Sequence, residues 1–244
     1  MKFLPTTKEE MKNLGWDSID VLLISGDTYL DTSYNGSALV GKWLVEHGFK
    51  VGIIAQPEVD VPDDITRLGE PNLFFAISGG CVDSMVANYT ATKKRRQQDD
   101  FTPGGVNNKR PDRAVLVYSN MVRRFFKGTT KKIVISGIES SLRRITHYDY
   151  WTNKLRKPIL FDAKADILSY GMGEMSMLQL ATALKNGEDW QNIRGLCYLS
   201  KENKEDYLSL PSHSECLADK DKFIEAFHTF YLNCDPITAK GLCQ

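Results

Sequence analysis

The chain has 244 residues, 42% of them hydrophobic and 10% aromatic, enough to bury a sizeable core in one large α/β domain or two small ones. Lys plus Arg and Asp plus Glu number 31 each, which excludes the global positive field that drives nonspecific binding to nucleic acid or anionic lipid. The first ten residues lack an apolar signal-peptide core, and no uncharged run approaches the roughly 18 residues of a membrane span. The chain therefore reads as cytoplasmic, with no membrane partner.

Thr6 to Gly15 is predicted to be a helix, with Thr7 and Glu10 as a capping box and Gly15 as its stop. Val21-Leu-Leu-Ile-Ser25-Gly26 follows, the first of four β-branched apolar runs that end abruptly in small residues. The others are Leu73 to Gly80, with Ser78, Gly79 and Gly80 at its exit, Ile133 to Gly137, and Ile167 to Gly171. Runs apolar at nearly every position imply strands buried on both faces by helices, hence a parallel sheet. Gly at each exit lets the backbone turn tightly or approach a ligand closely.

Between the first two runs lie the polar stretch Asp27 to Asn35, a helix over 37–47 closed by Gly48, and a second strand over 51–55, which complete a βαβ unit. A short helix is predicted over 63–68. From Cys81 to Arg113 a helical stretch with Met85, Val86 and Tyr89 gives way to Lys93-Lys-Arg-Arg96, Asp99-Asp100 and Thr102-Pro-Gly-Gly105. This connection is too long to be routine, and long loops in α/β domains are commonly functional. Ala114 to Phe126 is read as the crossover helix before the Ile133 strand.

The segment after Gly137 concentrates Glu139, Ser140, Ser141, Arg143, Arg144, His147, Tyr148, Asp149, Tyr150 and Trp151. Two guanidinium groups beside a strand-to-helix turn could form an anion-binding corner. His147 and Asp149 offer an acid/base pair, and the neighbouring rings a stacking wall. A strand over 165–170 leads to Gly171-Met-Gly173-Glu174, which has two of the three glycines of a dinucleotide loop and opens a helix to Gly187. A last strand is expected within 193–199, and an amphipathic helix over 223–232 places Phe223, Ile224, Phe227 and Phe230 on one side.

The five cysteines, at 81, 197, 216, 234 and 243, are odd in number and contain no C-x-x-C pair. Neither a disulfide framework nor a metal site is indicated, and His213 with Cys216 supplies only two of a metal's ligands.

Several strings occur together: Asp83-Ser-Met85, Tyr89-Thr90, Asp99-Asp100 with Thr102-Pro103, and Lys109-Arg-Pro-Asp-Arg-Ala114. They are followed by Gly137-Ile-Glu139 with Ser141-Leu-Arg-Arg144, His147-Tyr-Asp-Tyr-Trp151, Lys164-Ala-Asp166 and Gly173-Glu174. In this order the chain resembles the amino-terminal domain of the YgiQ-type radical S-adenosylmethionine (radical SAM) proteins. The resemblance implies a Rossmann-like domain akin to the cobalamin-binding module: a doubly wound, mainly parallel sheet of five or six strands over residues 1–210. Residues 211–244, including Asn233 to Lys240, would then be a helical lead-in to a radical SAM barrel beyond this chain. It further implies a 4Fe-4S cluster and S-adenosylmethionine in the full-length protein, with no cofactor held by this chain.

Two departures from that pattern stand out. The C-x-x-x-C-x-x-C motif that thiolate ligation of the cluster would require is absent. Asp27 to Thr32 also lacks the histidine of the base-off cobalamin motif D-x-H-x-x-G, so cobalamin is not expected. Cys81 stands where the family tends to show Asn.

The expected role is an accessory domain shaping a substrate pocket, with no catalytic residue assigned. Its candidate ligand-contacting residues are Ser25, Gly26, Asp27, Ser78, Gly79, Gly80, Asp83, Ser84, Gly137, Glu139, Arg143, Arg144, His147, Tyr148, Asp149, Gly171, Gly173 and Glu174. The alternative is a noncatalytic nucleotide- or RNA-binding module using Tyr89 to Arg96 and Arg143-Arg144.

Overall fold

The protein is described by a computed structural model, which covers residues 3–30, 35–202, 204–235 and 237–244. Asp31 and Thr32, in the polar stretch after the first strand, and Pro236, in the carboxyl-terminal lead-in, lie outside the described residues. In chain order the elements begin α1 (Lys8–Asn13), β1 (Val21–Ser25), α2 (Gly36–Glu46), β2 (Val51–Ala55), α3 (Pro62–Thr66), β3 (Phe74–Ser78) and α4 (Ser84–Asn88). There follow α5 (Ala114–Phe125), β4 (Lys132–Ser136), α6 (Gly137–Ser141), β5 (His147–Asp149), β6 (Lys154–Arg156), α7 (Ile159–Ala163), β7 (Ile167–Ser169) and α8 (Glu174–Asn186). The chain closes with β8 (Leu196–Tyr198), β9 (Leu208–Ser209), α9 (His213–Ala218), α10 (Lys220–Leu232) and β10 (Leu242–Cys243).

Six strands form one sheet in the order β2-β1-β3-β4-β7-β8. β1 pairs in parallel with both β2 and β3, β3 with β4, and β4 with β7, whereas β8 runs antiparallel along the edge. The expected doubly wound, mainly parallel sheet is therefore present. Both faces are covered, which is why the strands read as unbroken apolar runs. On one face Leu22, Ile24, Phe75, Ile77, Ile133 and Ile135 pack with α5 residues Val115, Tyr118 and Val122. On the other, Leu23, Ala76, Val134 and Ile167 pack with Leu44 of α2 and with Met177, Leu180 and Ala181 of α8. Each such fully buried large side chain contributes roughly 1.5–3 kcal/mol.

The capping chemistry read from the sequence is in place at α1. The Thr7 hydroxyl accepts from Glu10 N–H at 3.2 Å, and the Glu10 carboxylate accepts from Thr7 N–H at 3.2 Å. α2 starts where Asn35 accepts from Ala38 N–H. At α10 the apolar arc is wider than the surface available to cover it. Ala226 is buried and Phe223 and Phe230 half-buried, but Ile224 and Phe227, expected on the same side, are exposed together with Tyr231 and Leu232.

Candidate functional site

Three strands reach their carboxyl ends in the same register. Ser25 of β1 lies beside Ser78 of β3, which lies beside Ser136 of β4. Two residues earlier, Leu23, Ala76 and Val134 belong to the α2/α8 layer, and side chains two apart on a strand share a face. The three hydroxyls therefore floor a cleft on that side, at the carboxyl edge of the sheet. Its volume is about 270 Å³. Asn35, Gly36 and Ser37 at the start of α2 form one wall, and Gly171, Met172, Gly173 and Glu174 at the start of α8 form the other. Asp27, Gly80, Cys81, Gly137 and Ile138 also line it, with Leu23, Val40, Ala76 and Met177 as its apolar base.

This position follows from topology. The strand order reverses between β1 and β3, and crevices open at such switch points because the two flanking connections leave to opposite sides. Ser25 Oγ accepts from Asp27 N–H at 3.1 Å and Ser78 Oγ from Gly80 N–H at 3.2 Å, each tightening the turn after its strand. The exit glycines answer to the protein's own packing. A Cβ on Gly26 would collide with the Gly79 carbonyl, and one on Gly80, at φ +114°, would collide with the Asp27 carboxylate.

Asp27 is the most heavily engaged residue of the cleft. Its Oδ2 accepts from Cys81 N–H at 2.6 Å, and its Oδ1 lies 2.5 Å from Nη2 of Arg110, a side chain wholly out of solvent. Arg110 also donates from Nε to the Gly26 carbonyl at 2.9 Å and pairs with Asp99 at 3.3 Å. Burial raises the Asp27 pKa against the opposing pull of Arg110. Burial, with the Asp27 carboxylate beside it, pushes the Cys81 thiol up to about 12. Cys81 is therefore a thiol at neutral pH, not a nucleophilic thiolate. By contrast, the half-buried Glu174 carboxylate has no hydrogen-bond or ion-pair partner among the described residues.

Of the candidates named from sequence, Ser25, Asp27, Ser78, Gly80, Gly137, Gly171, Gly173 and Glu174 line the cleft. Gly26 and Gly79 form the backbone contact behind it. Of the remainder, Asp83, Ser84, Glu139, Arg143 and Asp149 engage groups on the α4 and α5 side, whereas Arg144, His147 and Tyr148 do not. Glu139 Oε2 accepts from Ser84 N–H at 3.0 Å, its Oε1 from Val115 N–H at 3.2 Å, and Ser84 Oγ from Ala114 N–H at 3.0 Å. One buried carboxylate and one hydroxyl thus cap α4 and α5. At α4 they add to the N-cap bond that Asp83 accepts from Met85 N–H, while at α5 Arg113 has left-handed backbone and makes no capping side-chain bond of its own. Burial raises the Glu139 pKa, and Asp83 adds to the rise.

Arg143 pairs with Asp83 and donates to the Glu139 carbonyl at 2.9 Å. Arg144 lies over the rings of Tyr170 and Phe230, at 4.8 and 4.4 Å. Asp149 binds Arg113 at 2.8 Å and Arg156 at 3.2 Å. Burial lifts its pKa but is outweighed by the Thr152 hydroxyl and these two guanidiniums, which hold it at about 2. His147 Nδ1 faces the Ile145 carbonyl at 3.1 Å, while its Nε2 is buried without a partner. Burial lowers its pKa and the Arg143 charge lowers it further. Tyr148 is exposed, its hydroxyl donating to Asn153.

The basic run after Tyr89 is largely engaged within the fold. Tyr89 donates to Asp112 at 2.6 Å and its ring packs tilted against Trp151 at 4.9 Å, Arg96 donates to the Val86 and Tyr89 carbonyls, and Lys93 donates to those of Tyr150 and Trp151. Among the described residues no group of three His, Cys, Asp or Glu side chains is placed to hold a metal ion.

Sequence reasoning passed over Asn35, Ser37, Ser136 and Arg110 as site residues. Ser136 was within reach, since it occupies the same pre-glycine position as Ser25 and Ser78. Arg110 lies in the Lys109 to Ala114 string, but its role had no local signal, because its partners are 83 and 11 residues away.

A family model described as Radical SAM N-terminal matches residues 3–244. The chain is 96% identical over 244 residues to UPF0313 protein FN0734 of Fusobacterium nucleatum subsp. nucleatum, covering 100% of this chain and 43% of that protein. It is 51% identical over 237 residues to a UPF0313 protein of Thermotoga neapolitana, covering 96% of this chain and 41% of the relative. The chain thus spans less than half the length of these curated relatives. Among solved structures it is similar to the radical S-adenosylmethionine methyltransferase TsrM from Kitasatospora setae, determined with cobalamin and a 4Fe-4S cluster bound. The TM-score is 0.50 at 16% identity, over 75% of this chain and 28% of that one, a likeness of fold.

Proposed function

The chain belongs to the radical SAM N-terminal family, and we propose that within a longer protein it is the accessory domain that shapes the substrate pocket of a radical SAM enzyme. The observation that carries this reading is the cleft at the β1/β3 switch point, where three strand-end serines and the unpartnered Glu174 carboxylate meet. Residues 1–210 would form the pocket-bearing unit and residues 211–244 the connection onward.

The donor set of this chain does not fit an iron-sulfur cluster. Its five cysteines are spread along the chain and form no disulfide, and cluster ligation needs close thiolates. In the proposed whole protein a 4Fe-4S cluster and S-adenosylmethionine, held by a barrel outside this chain, would supply reductive radical generation. The cleft's lining residues include no histidine, so no axial cobalt ligand is assigned to them.

What these residues can do is bind and orient. Ser25 and Ser78 accept backbone N–H groups, which leaves each hydroxyl proton free to be donated to a ligand oxygen. Glu174 accepts from a ligand hydroxyl or amine, and its charge disfavours a strongly anionic group. The class that fits is a small organic substrate with both donor and acceptor groups, its apolar part against Val40, Ile138 and Met177.

The test uses the full-length protein, reconstituted anaerobically and reduced, with 5′-deoxyadenosine release from S-adenosylmethionine as the readout. A small-molecule ultrafiltrate of cell extract serves as the substrate source. We expect basal release, stimulation by the ultrafiltrate, and loss of that stimulation in Glu174→Gln and Ser37→Phe with basal release intact. A protein without basal release removes the enzyme reading, and undiminished stimulation in both variants removes the cleft.

A further inference from the structure

Large apolar side chains face water at the cleft and on the segments that bear it: Ile138 and Met172 line it, Met175 follows Glu174 of the lining, and Leu142 ends α6. Met172 is 85% exposed, Leu142 61%, Met175 56% and Ile138 43%. They come from two short segments, α6 with its end and the β7-to-α8 turn, held together by the Gly171 N–H donating to Ser141 Oγ at 3.3 Å. Single exposed apolar residues are ordinary, but four grouped around a concavity mark a surface that another one covers. On these two segments Arg143 is paired with Asp83, Arg144 is occupied between Tyr170 and Phe230, and Glu174 is the charge without a partner among the described residues. A nucleic acid would require basic groups at this edge to neutralise phosphates.

We infer that this rim is the docking surface for the carboxyl-terminal part of the same polypeptide, which closes the cleft into a chamber between two domains. The inference rests on the reading of this chain as the amino-terminal domain of a longer protein. The 96%-identical relative has more than half its length outside the matched region, so a large partner lies on the same chain. Gln244 accepts from Thr146 N–H at 2.7 Å and donates to the Pro211 carbonyl at 3.0 Å. Gln244 is thus held at Thr146, four residues after Leu142 in the chain, and any chain continuing past it would start there. α10, tied to the same edge through Arg144, adds a second uncovered stripe in which Phe227 and Tyr231 stack at 6.1 Å. The ligand would then be gripped from below by the serines and enclosed from above by the second domain.

Methionine oxidation reads this directly, because access of peroxide to the thioether sets the rate. The full-length native protein is treated with dilute hydrogen peroxide, and sulfoxide is followed by peptide mass spectrometry against the urea-unfolded protein. Met177, buried in this domain, is the internal reference. We expect Met172 and Met175 to be protected at least about tenfold relative to the unfolded protein, as Met177 is. In Leu142→Glu the protection of Met172 and Met175 should fall while that of Met177 stays. Native Met172 oxidising at the unfolded rate with Met177 protected overturns the inference. So does protection that disappears on dilution to monomers, which would assign the rim to a second copy. The footprint needs neither cluster nor ligand, so its failure is separable from failure of the 5′-deoxyadenosine assay.

Discussion

The Arg110 guanidinium and the Asp27 carboxylate meet at 2.5 Å with both side chains out of solvent, and this pair ties the long 81–113 connection to the exit of β1. The cleft therefore owes its shape to a residue that does not line it. Removing one partner of such a pair strands the other charge in a poorly solvating interior. Arg110→Met should cost about 3–5 kcal/mol of stability in urea unfolding, and the added change Asp27→Asn should recover part of it. An Arg110→Met protein as stable as the parent would show that the pair does not hold the loop.

The two kinds of strand-exit glycine should respond differently to alanine. At Gly26 a methyl meets the Gly79 carbonyl, backbone against backbone, with no flexible side chain to yield. At Gly171 the φ is +72° but no atom lies within 4 Å of the added carbon. Gly171→Ala should cost roughly 1–2 kcal/mol for the left-handed conformation alone. Gly26→Ala should cost clearly more, or abolish folding, as measured by thermal midpoint. Equal midpoints would argue against the close β1–β3 approach.

Acid stability should carry the mark of Asp149. Its folded pKa, about 2, lies below the ordinary 3.8, so the unfolded chain takes up the proton first. The stabilisation is complete above about pH 4 and fades as pH falls toward 2. Asp149→Asn should be less stable than the parent at neutral pH, and the gap should narrow over that acid window. Urea midpoints of the two proteins at a series of pH values test this, and a constant gap would refute it.

Cysteine labelling should separate cleft from surface. Cys81 has its pKa pushed up to about 12 and is partly buried, whereas Cys234 is exposed. With iodoacetamide at neutral pH, Cys234 should alkylate much faster than Cys81, as read by peptide mass spectrometry. Faster labelling of Cys81 would mean that the Asp27 contact is absent in solution.

Local pattern alone determined much of this protein. Unbroken β-branched runs specified strands buried on both faces, Thr7 with Glu10 specified a helix start, and the Ser-Gly exits located the carboxyl edge of the sheet. Each of these signals is legible because its cause acts within a few residues, through side-chain periodicity, capping hydrogen bonds or turn geometry. The family motifs, read as strings, likewise needed no structure.

Tertiary structure alone decided which of the polar residues near that edge share a space. Glu139, Arg143 and Asp149 follow the β4 exit closely in sequence, yet their partners are Ser84, Asp83 and Arg113, and they cap helices and close ion pairs on the α5 side. Asn35, Ser37 and Glu174 are far apart along the chain, yet they wall one cleft. The sheet's two faces diverge within two residues of each strand end, and the choice of face depends on register and on the strand-order reversal between β1 and β3. Those are properties of the assembled sheet, and no window of sequence contains them.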